Sequence, residues 1–201
     1  MEYFERLWNE LPEVTPEHFA LRRDFVIAAL EPGSRVIDVG CGEGSFCGAL
    51  AEAGFSVLGV EVATEPVRRA RARFADLEFL VVGERELPFP AGSFEGAWMG
   101  EVLEHVQDGL GLLWEVARVV GPGGRLAVST PDHGWRRRLW LGVSRQAFET
   151  HFEPRSDHVR FFTRRSLEAL LEAGGFEQIR IRAVRGVLLA SCCASVGCER
   201  G

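Results

Sequence analysis

The apolar run Val36–Val39 carries an acid, Asp38, and is followed by glycines at three alternate positions, Gly40, Gly42 and Gly44, before a helical pattern opens at Ser45. Glycine adopts positive φ without a Cβ penalty and lets a ligand approach bare backbone, so this turn suits a small molecule held against main-chain amides. In a strand, turn and helix arrangement, that ligand lies beyond the carboxyl end of the strand. The spacing is one residue shorter than the Gly-x-Gly-x-x-Gly turn that seats a pyrophosphate. Asp38, two residues ahead of the first glycine, disfavours phosphate and favours a ligand with an ammonium group. About twenty residues further on, Glu61 closes the next apolar run, where a carboxylate can accept hydrogen bonds from both hydroxyls of a ribose. Glu61 therefore points to a nucleoside without saying which, unless it is a solvated acid at a strand end.

Positioning these residues requires a strand before the turn, a helix after it and a second strand beside the first. The pattern supplies them: short apolar strands are expected at 35–39, 56–60, 77–82, 94–99 and 125–130, with helices at 45–53, 65–74 and 109–120 between them. Such alternation signals right-handed βαβ units and a parallel sheet. Ahead of it, residues 1–33 read as a helical cap: a short helix, a turn, then a longer helix from Pro16 to Leu30 with Thr15 as its cap. After Thr130 the alternation stops, and residues 131–163 form an insertion. It resumes with a helix over 164–173 capped by Thr163, a strand over 176–184, a turn at Arg185-Gly186 and an antiparallel return over 187–196.

Composition narrows the class. At 201 residues and 46% hydrophobic, the chain suits one domain with apolar layers on both faces of a sheet. A net charge of −6 gives no general basic field for nucleic acid or membrane phosphates, although local patches remain open. All 23 basic residues are Arg, which fits a GC-rich genome and says nothing about chemistry. The five cysteines lack metal-ligand spacing, so no metal is expected. With no signal-peptide pattern they point to a reducing cytoplasm. No apolar run approaches the ~20 residues needed to span a bilayer.

Four motifs occur in order: the glycine turn after Asp38, Glu61, the stretch Val82–Phe89 with Leu87-Pro88-Phe89, and Met99–Val106 with Glu104-His105. Together they resemble the class I S-adenosylmethionine-dependent methyltransferases, within the group that acts on small molecules. The resemblance covers about residues 35–181. It implies a Rossmann-like α/β three-layer sandwich. The sheet has seven strands and is mostly parallel, in order 3-2-1-4-5-7-6 with the last strand antiparallel.

The cofactor implied is S-adenosylmethionine, leaving as S-adenosylhomocysteine. Its methionine moiety would pack on Gly40 and Gly42, with Asp38 fixing the loop and the amino group. Glu61 would hold the ribose hydroxyls with Val62 against the adenine, and Glu84 and Arg85 would line the adenine edge. Met99 and Gly100 would lie near the sulfonium, and Arg22 of the cap would meet the cofactor carboxylate unless it is a surface arginine. Many relatives carry an Asp where this chain has Gly83, so Glu84 or backbone amides must read the adenine.

Methyl transfer disperses charge, so positioning supplies most of the acceleration and a general base is needed only for a protonated acceptor. His105, His133, His151 and His158 are the candidates by ordinary pKa. His133 follows Thr130-Pro131-Asp132 at the rim of the acceptor pocket, and His105 is as well suited to a structural role or a cofactor contact. In the insertion, Trp135 and Trp140 could wall an aromatic or lipid-like acceptor while Arg136–Arg138 pair with its carboxylate or phosphate. The other reading is a helix with apolar residues inward and arginines in water. The expected partner is a small-molecule acceptor rather than nucleic acid. The rival functions are a cofactor-binding protein without transferase activity and a nicotinamide-dependent oxidoreductase, against which the glycine spacing argues.

Overall fold

The computed structural model describes residues 5, 8, 15–84, 86–153 and 158–196. Seven strands and seven helices are defined among them. In chain order these are α1 (Phe19–Ala29), β1 (Arg35–Val39), α2 (Ser45–Glu52), β2 (Ser56–Glu61), α3 (Thr64–Arg73), β3 (Glu78–Val81) and β4 (Gly96–Gly100). They continue with α4 (Gly109–Val120), β5 (Arg125–Pro131), α5 (Trp135–Val143), α6 (Arg145–His151), α7 (Arg164–Ala173), β6 (Phe176–Val184) and β7 (Val187–Ala194). The sheet order is β3-β2-β1-β4-β5-β7-β6, parallel from β3 through β5, with β7 antiparallel to both its neighbours. The expected fold class is the observed one.

Successive strand residues point to opposite faces, and the sheet uses this to build two apolar layers. Ile37, Met99, Leu126 and Leu188 face Leu113, Val116, Leu167 and Leu171 of α4 and α7. Their immediate neighbours Val36, Trp98, Ala127 and Leu189 face Phe25, Val26, Phe46 and Leu50 of α1 and α2. Central strands are apolar on both faces because both are covered.

Local signals account for the element ends. Thr163 and Ser166 form a reciprocal capping box at the start of α7. Between β6 and β7, Arg185 (φ 52°) and Gly186 (φ 83°) join the paired residues Val184 and Val187, the two positive φ values of a tight hairpin. Strand β3 is one residue shorter at each end than expected and β4 starts two residues and ends one residue later, as boundaries set by hydrogen bonding commonly differ.

Two expectations are corrected. Thr15 does not cap the cap's longer helix: α1 opens at Phe19, because His18 is left-handed (φ 51°) and cannot continue a right-handed helix back to Pro16. The Phe19 amide instead closes a turn on the Pro16 carbonyl. The second concerns the insertion, which holds α5 and α6, packed on each other. Here α5 does not turn its apolar residues inward. Leu141 is buried, while Trp135, Leu139, Trp140 and Val143 are exposed. The short helix expected within residues 1–11 falls outside the described residues except at Glu5 and Trp8, both helical.

Candidate cofactor and acceptor site

Strands β2, β1 and β4 are adjacent, so their carboxyl ends bring Glu61, the glycine turn and Met99-Gly100 to one edge. The turn is anchored by the amides of Gly40 and Cys41, which both donate to the Val60 carbonyl. Gly40 and Gly42 adopt φ of 73° and 51°. A Cβ on Gly40 would come within 2.5 Å of Val102, and one on Gly42 within 3.1 Å of the Trp8 ring. Bare backbone is therefore required at Gly40 by packing as well as by conformation, and the Trp8 indole covers Gly42.

Glu61 is buried and caps this edge. Its Oε2 accepts from the Gly42 amide at 3.2 Å, and its Oε1 accepts from the amides of Val62 and Ala63. Burial raises its pKa, and those three amide bonds oppose the shift. Asp38, on the inner side of the turn, accepts from Cys47 Sγ at 3.1 Å. Burial pushes the Asp38 carboxyl up to about 7, against the Cys47 bond.

Arg22 reaches the same edge from α1 and is only 3% exposed. Its Nε donates to Ser129 Oγ at 2.9 Å, an Nη lies 3.8 Å from the Glu101 carboxylate, and its guanidinium stacks 4.9 Å from the Phe46 ring centre. Burial lowers its pKa, while Glu101, Glu104 and Asp38 oppose the shift. Ser129 in turn donates to Glu101, and Thr130 donates to Glu104 Oε2. Glu101 holds φ at 59°, a left-handed conformation costing about 1–3 kcal/mol in a residue with a side chain. Its amide is fixed by the Ser129 carbonyl.

Sequence reasoning singled out Arg22 but missed Glu101, Ser129 and Thr130. The signal was available in strand adjacency, because Gly100 pairs with Ser129 across β4 and β5. Glu104 Oε1 is buried without a hydrogen-bond partner. Burial, then the neighbouring Glu101 charge, pushes the Glu104 carboxyl up to about 8. Donor atoms of Glu104, His105 and His158 lie within 4.8 Å of one another, a mixed oxygen and imidazole set of the kind divalent cations accept.

His133 stands at the end of β5, where its amide donates to the Phe162 carbonyl and draws the insertion's far end back to the sheet. His133 Nε2 lies 3.1 Å from His151 Nε2, and His151 Nδ1 lies 3.3 Å from an Arg137 Nη. Guanidinium only donates, so this network assigns the tautomers. His151 Nδ1 accepts, its Nε2–H donates to His133, and the remaining His133 proton sits on Nδ1. Burial, with Arg137 and His151 adding to it, pulls the His133 pKa down to about 4.

The other candidates are less gathered. Glu84 is exposed beyond β3, Trp135 and Trp140 face outward, and Arg85 and the Arg136 side chain lie outside the described residues. An open cleft of about 570 Å³ lined by Val82, Gly83, Leu87 and Arg118 lies on the α4 side of β3 rather than at the glycine turn.

Comparison with known proteins identifies the family and the fold. A family described as a methyltransferase domain matches residues 14–181. The 27-O-demethylrifamycin SV methyltransferase of Amycolatopsis mediterranei is 40% identical over 49% of this chain and 39% of its own length. A ubiquinone biosynthesis O-methyltransferase of Ralstonia nicotianae is 30% identical over 91% of this chain and 81% of its own. This chain thus spans well under half of the first relative and most of the second. A crystal structure of an S-adenosylmethionine-dependent methyltransferase from Methanosarcina mazei aligns with a TM-score of 0.70 at 23% identity, over 86% of this chain and 97% of that one. The chain belongs to the methyltransferase-domain family and is a class I S-adenosylmethionine-dependent methyltransferase.

Proposed function

We propose that this chain binds S-adenosylmethionine at the carboxyl edge of β2, β1 and β4 and methylates an oxygen of a small-molecule acceptor, as one domain with 1–33 as cap and 131–163 over the acceptor. The observation that carries the reading is Glu61 at the end of β2, bonded to the Gly42 amide of the glycine turn beside it. A ribose diol there meets a carboxylate next to backbone without Cβ atoms, which is a fit of shape and of donor set. The name O-methyltransferase of one relative, and the 27-O-demethylrifamycin SV in the name of the other, support an oxygen acceptor.

S-adenosylmethionine supplies a methyl on a positively charged sulfur, and its in-line transfer disperses that charge. The chain's part is therefore to bind, orient and exclude water. Gly40 and Gly42 receive the methionine moiety under Trp8, and Asp38 fixes the turn beneath it. Arg22 offers its guanidinium to the cofactor carboxylate in competition with Glu101. Val62 packs against the adenine, which Glu84 and Arg85 border. Met99 and Gly100 bound the space at the sulfur. At the acceptor side, neutral His133 has its Nε2 lone pair taken by His151 and its Nδ1 buried, so it fixes the rim of the acceptor space rather than presenting a free donor.

The test is calorimetric titration with S-adenosylhomocysteine, followed by label transfer from methyl-labelled S-adenosylmethionine to a panel of phenolic and aliphatic hydroxyl acceptors. Saturable binding with product from a hydroxyl acceptor is expected. Binding without transfer to any acceptor would leave a cofactor-binding protein, and saturable binding of nicotinamide dinucleotide alone would overturn the reading.

A further inference from the structure

We propose that the outer face of α5, with the adjoining aromatic residues of the insertion, docks this protein onto the surface of an anionic lipid bilayer. Trp135, Leu139 and Val143, four residues apart, run as one stripe along α5, and Trp140 lies beside it. Trp135 is 67% exposed, Trp140 56% and Val143 76%, while Leu141 on the opposite side holds the helix to the protein. Phe148, Phe152 and Phe161 are exposed as well and pack on one another and on His151, which Arg137 of α5 meets, so they form a second aromatic cluster of the insertion. Scattered exposed apolar residues are ordinary, but a contiguous group of this size marks an interaction surface.

Charge identifies the occupant. From Trp135 to Phe148 the sequence holds four arginines, at 136, 137, 138 and 145, and no acid, in a chain whose net charge is −6. A basic island in an acidic protein, beside tryptophans on an apolar stripe, is the composition of a helix lying at a membrane interface. The indoles occupy the headgroup layer and the exposed Arg138 meets anionic headgroups, while Arg137 is turned to His151. A second copy fits poorly. A twofold interface would set each arginine run against its own image, and of the flanking acids Asp132 lies outside α5 and Glu149 is already paired with Arg145. No helix among the described residues is long and apolar enough to cross a membrane, so the contact is peripheral. Because the insertion leaves β5 at the same sheet edge as the glycine turn, docking by this face would bring the edge close to the bilayer.

The experiment is co-sedimentation of the full chain with vesicles of phosphatidylcholine alone and of phosphatidylcholine mixed with phosphatidylglycerol, at low and high salt. Binding to the anionic vesicles that weakens with salt and shifts tryptophan emission to the blue is expected. The Leu139→Ser, Trp140→Ser double variant should abolish that binding. Arg138→Glu should weaken it by at least ~5-fold, the scale of one basic residue at an anionic surface, with thermal melting unchanged in both. Failure to sediment with anionic vesicles at low salt overturns the proposal, as does equal binding by the variants. A lipid-free dimer in analytical ultracentrifugation that Leu139→Ser, Trp140→Ser dissociates would assign the face to a second copy instead. None of these readouts depends on methyl transfer, so failure here is distinguishable from failure of the enzymatic reading.

Discussion

Gly100 and Arg22 occupy what would otherwise be the same space: a Cβ built on Gly100 would lie 2.6 Å from an Arg22 Nη and 2.6 Å from the Trp98 ring. The absent side chain at the end of β4 is what admits a buried guanidinium to the sheet edge, beside Glu101 and Ser129. Gly100→Ala should therefore destabilise the protein by about 1–3 kcal/mol through overpacking. Gly142→Ala, in a helix and with open space around the added Cβ, should be stabilising by about 0.5–1 kcal/mol. Urea unfolding of both variants checks the contrast, and equal effects would show that Arg22 is not held by this packing.

The stability of the native state should fall as pH rises through neutrality. The Glu104 carboxyl is held protonated up to about 8, whereas in the unfolded chain it ionises near its ordinary value, about 4.3. Between those values the native state binds more protons than the unfolded state, so its stability declines with rising pH and the loss is complete above about 8. His133, whose pKa lies at about 4, acts in the opposite sense but only below the ordinary imidazole value, about 6.5. Melting temperatures between about pH 7 and 7.5 thus read chiefly the carboxyls, because the buried Cys47 and Cys192 thiols, raised by burial, add a slope of the same sign only toward the ordinary thiol value, about 8.5. Glu104→Gln should flatten the slope, leaving the part due to Asp38, whose carboxyl sits at about 7. An unchanged slope would place the proton elsewhere.

The glycine turn, Glu61 and the strand alternation were legible because each is a local pattern: a residue type that only one backbone conformation or one strand position explains. The start of α1 was misread because Thr15-Pro16 is a sound capping signal that the left-handed His18 overrides. The Arg22, Glu101 and Ser129 group was invisible as a motif, since its members come from α1, the residue after β4, and β5 and meet only through sheet pairing. The outward face of α5 was misjudged for a related reason. Periodicity shows that a helix has an apolar stripe but does not say whether another element covers it.

His133 should titrate far below an ordinary imidazole. Burial and the Arg137 charge lower its pKa to about 4, and His151 supplies the proton that fills Nε2. Following the imidazole C–H resonances by NMR, Arg137→Ala and His151→Ala should each move the His133 midpoint upward. If methyl transfer used His133 as a base near neutrality, the wild-type midpoint would lie in the ordinary range near about 6.5. A midpoint there would overturn the assignment of His133 as a buried, neutral imidazole.

Glu61 separates cofactor binding from loop integrity, because its two oxygens do different work. Oε1 accepts from Val62 and Ala63, while Oε2 accepts from Gly42 and borders the place proposed for a ribose. In Glu61→Gln the carbonyl oxygen can keep the Val62 and Ala63 bonds, but an amide nitrogen then faces the Gly42 amide and any diol. Glu61→Ala removes all three bonds. Each variant should weaken S-adenosylhomocysteine binding by about 1–3 kcal/mol, the cost of leaving a polar group without its partner. Melting temperature should fall more for Glu61→Ala than for Glu61→Gln. Calorimetry paired with thermal melts reads both quantities. Affinity that tracks stability across the two variants would mean Glu61 acts only by holding the turn, whereas a large affinity loss in Glu61→Gln with little change in melting is what a direct bond to the ribose requires.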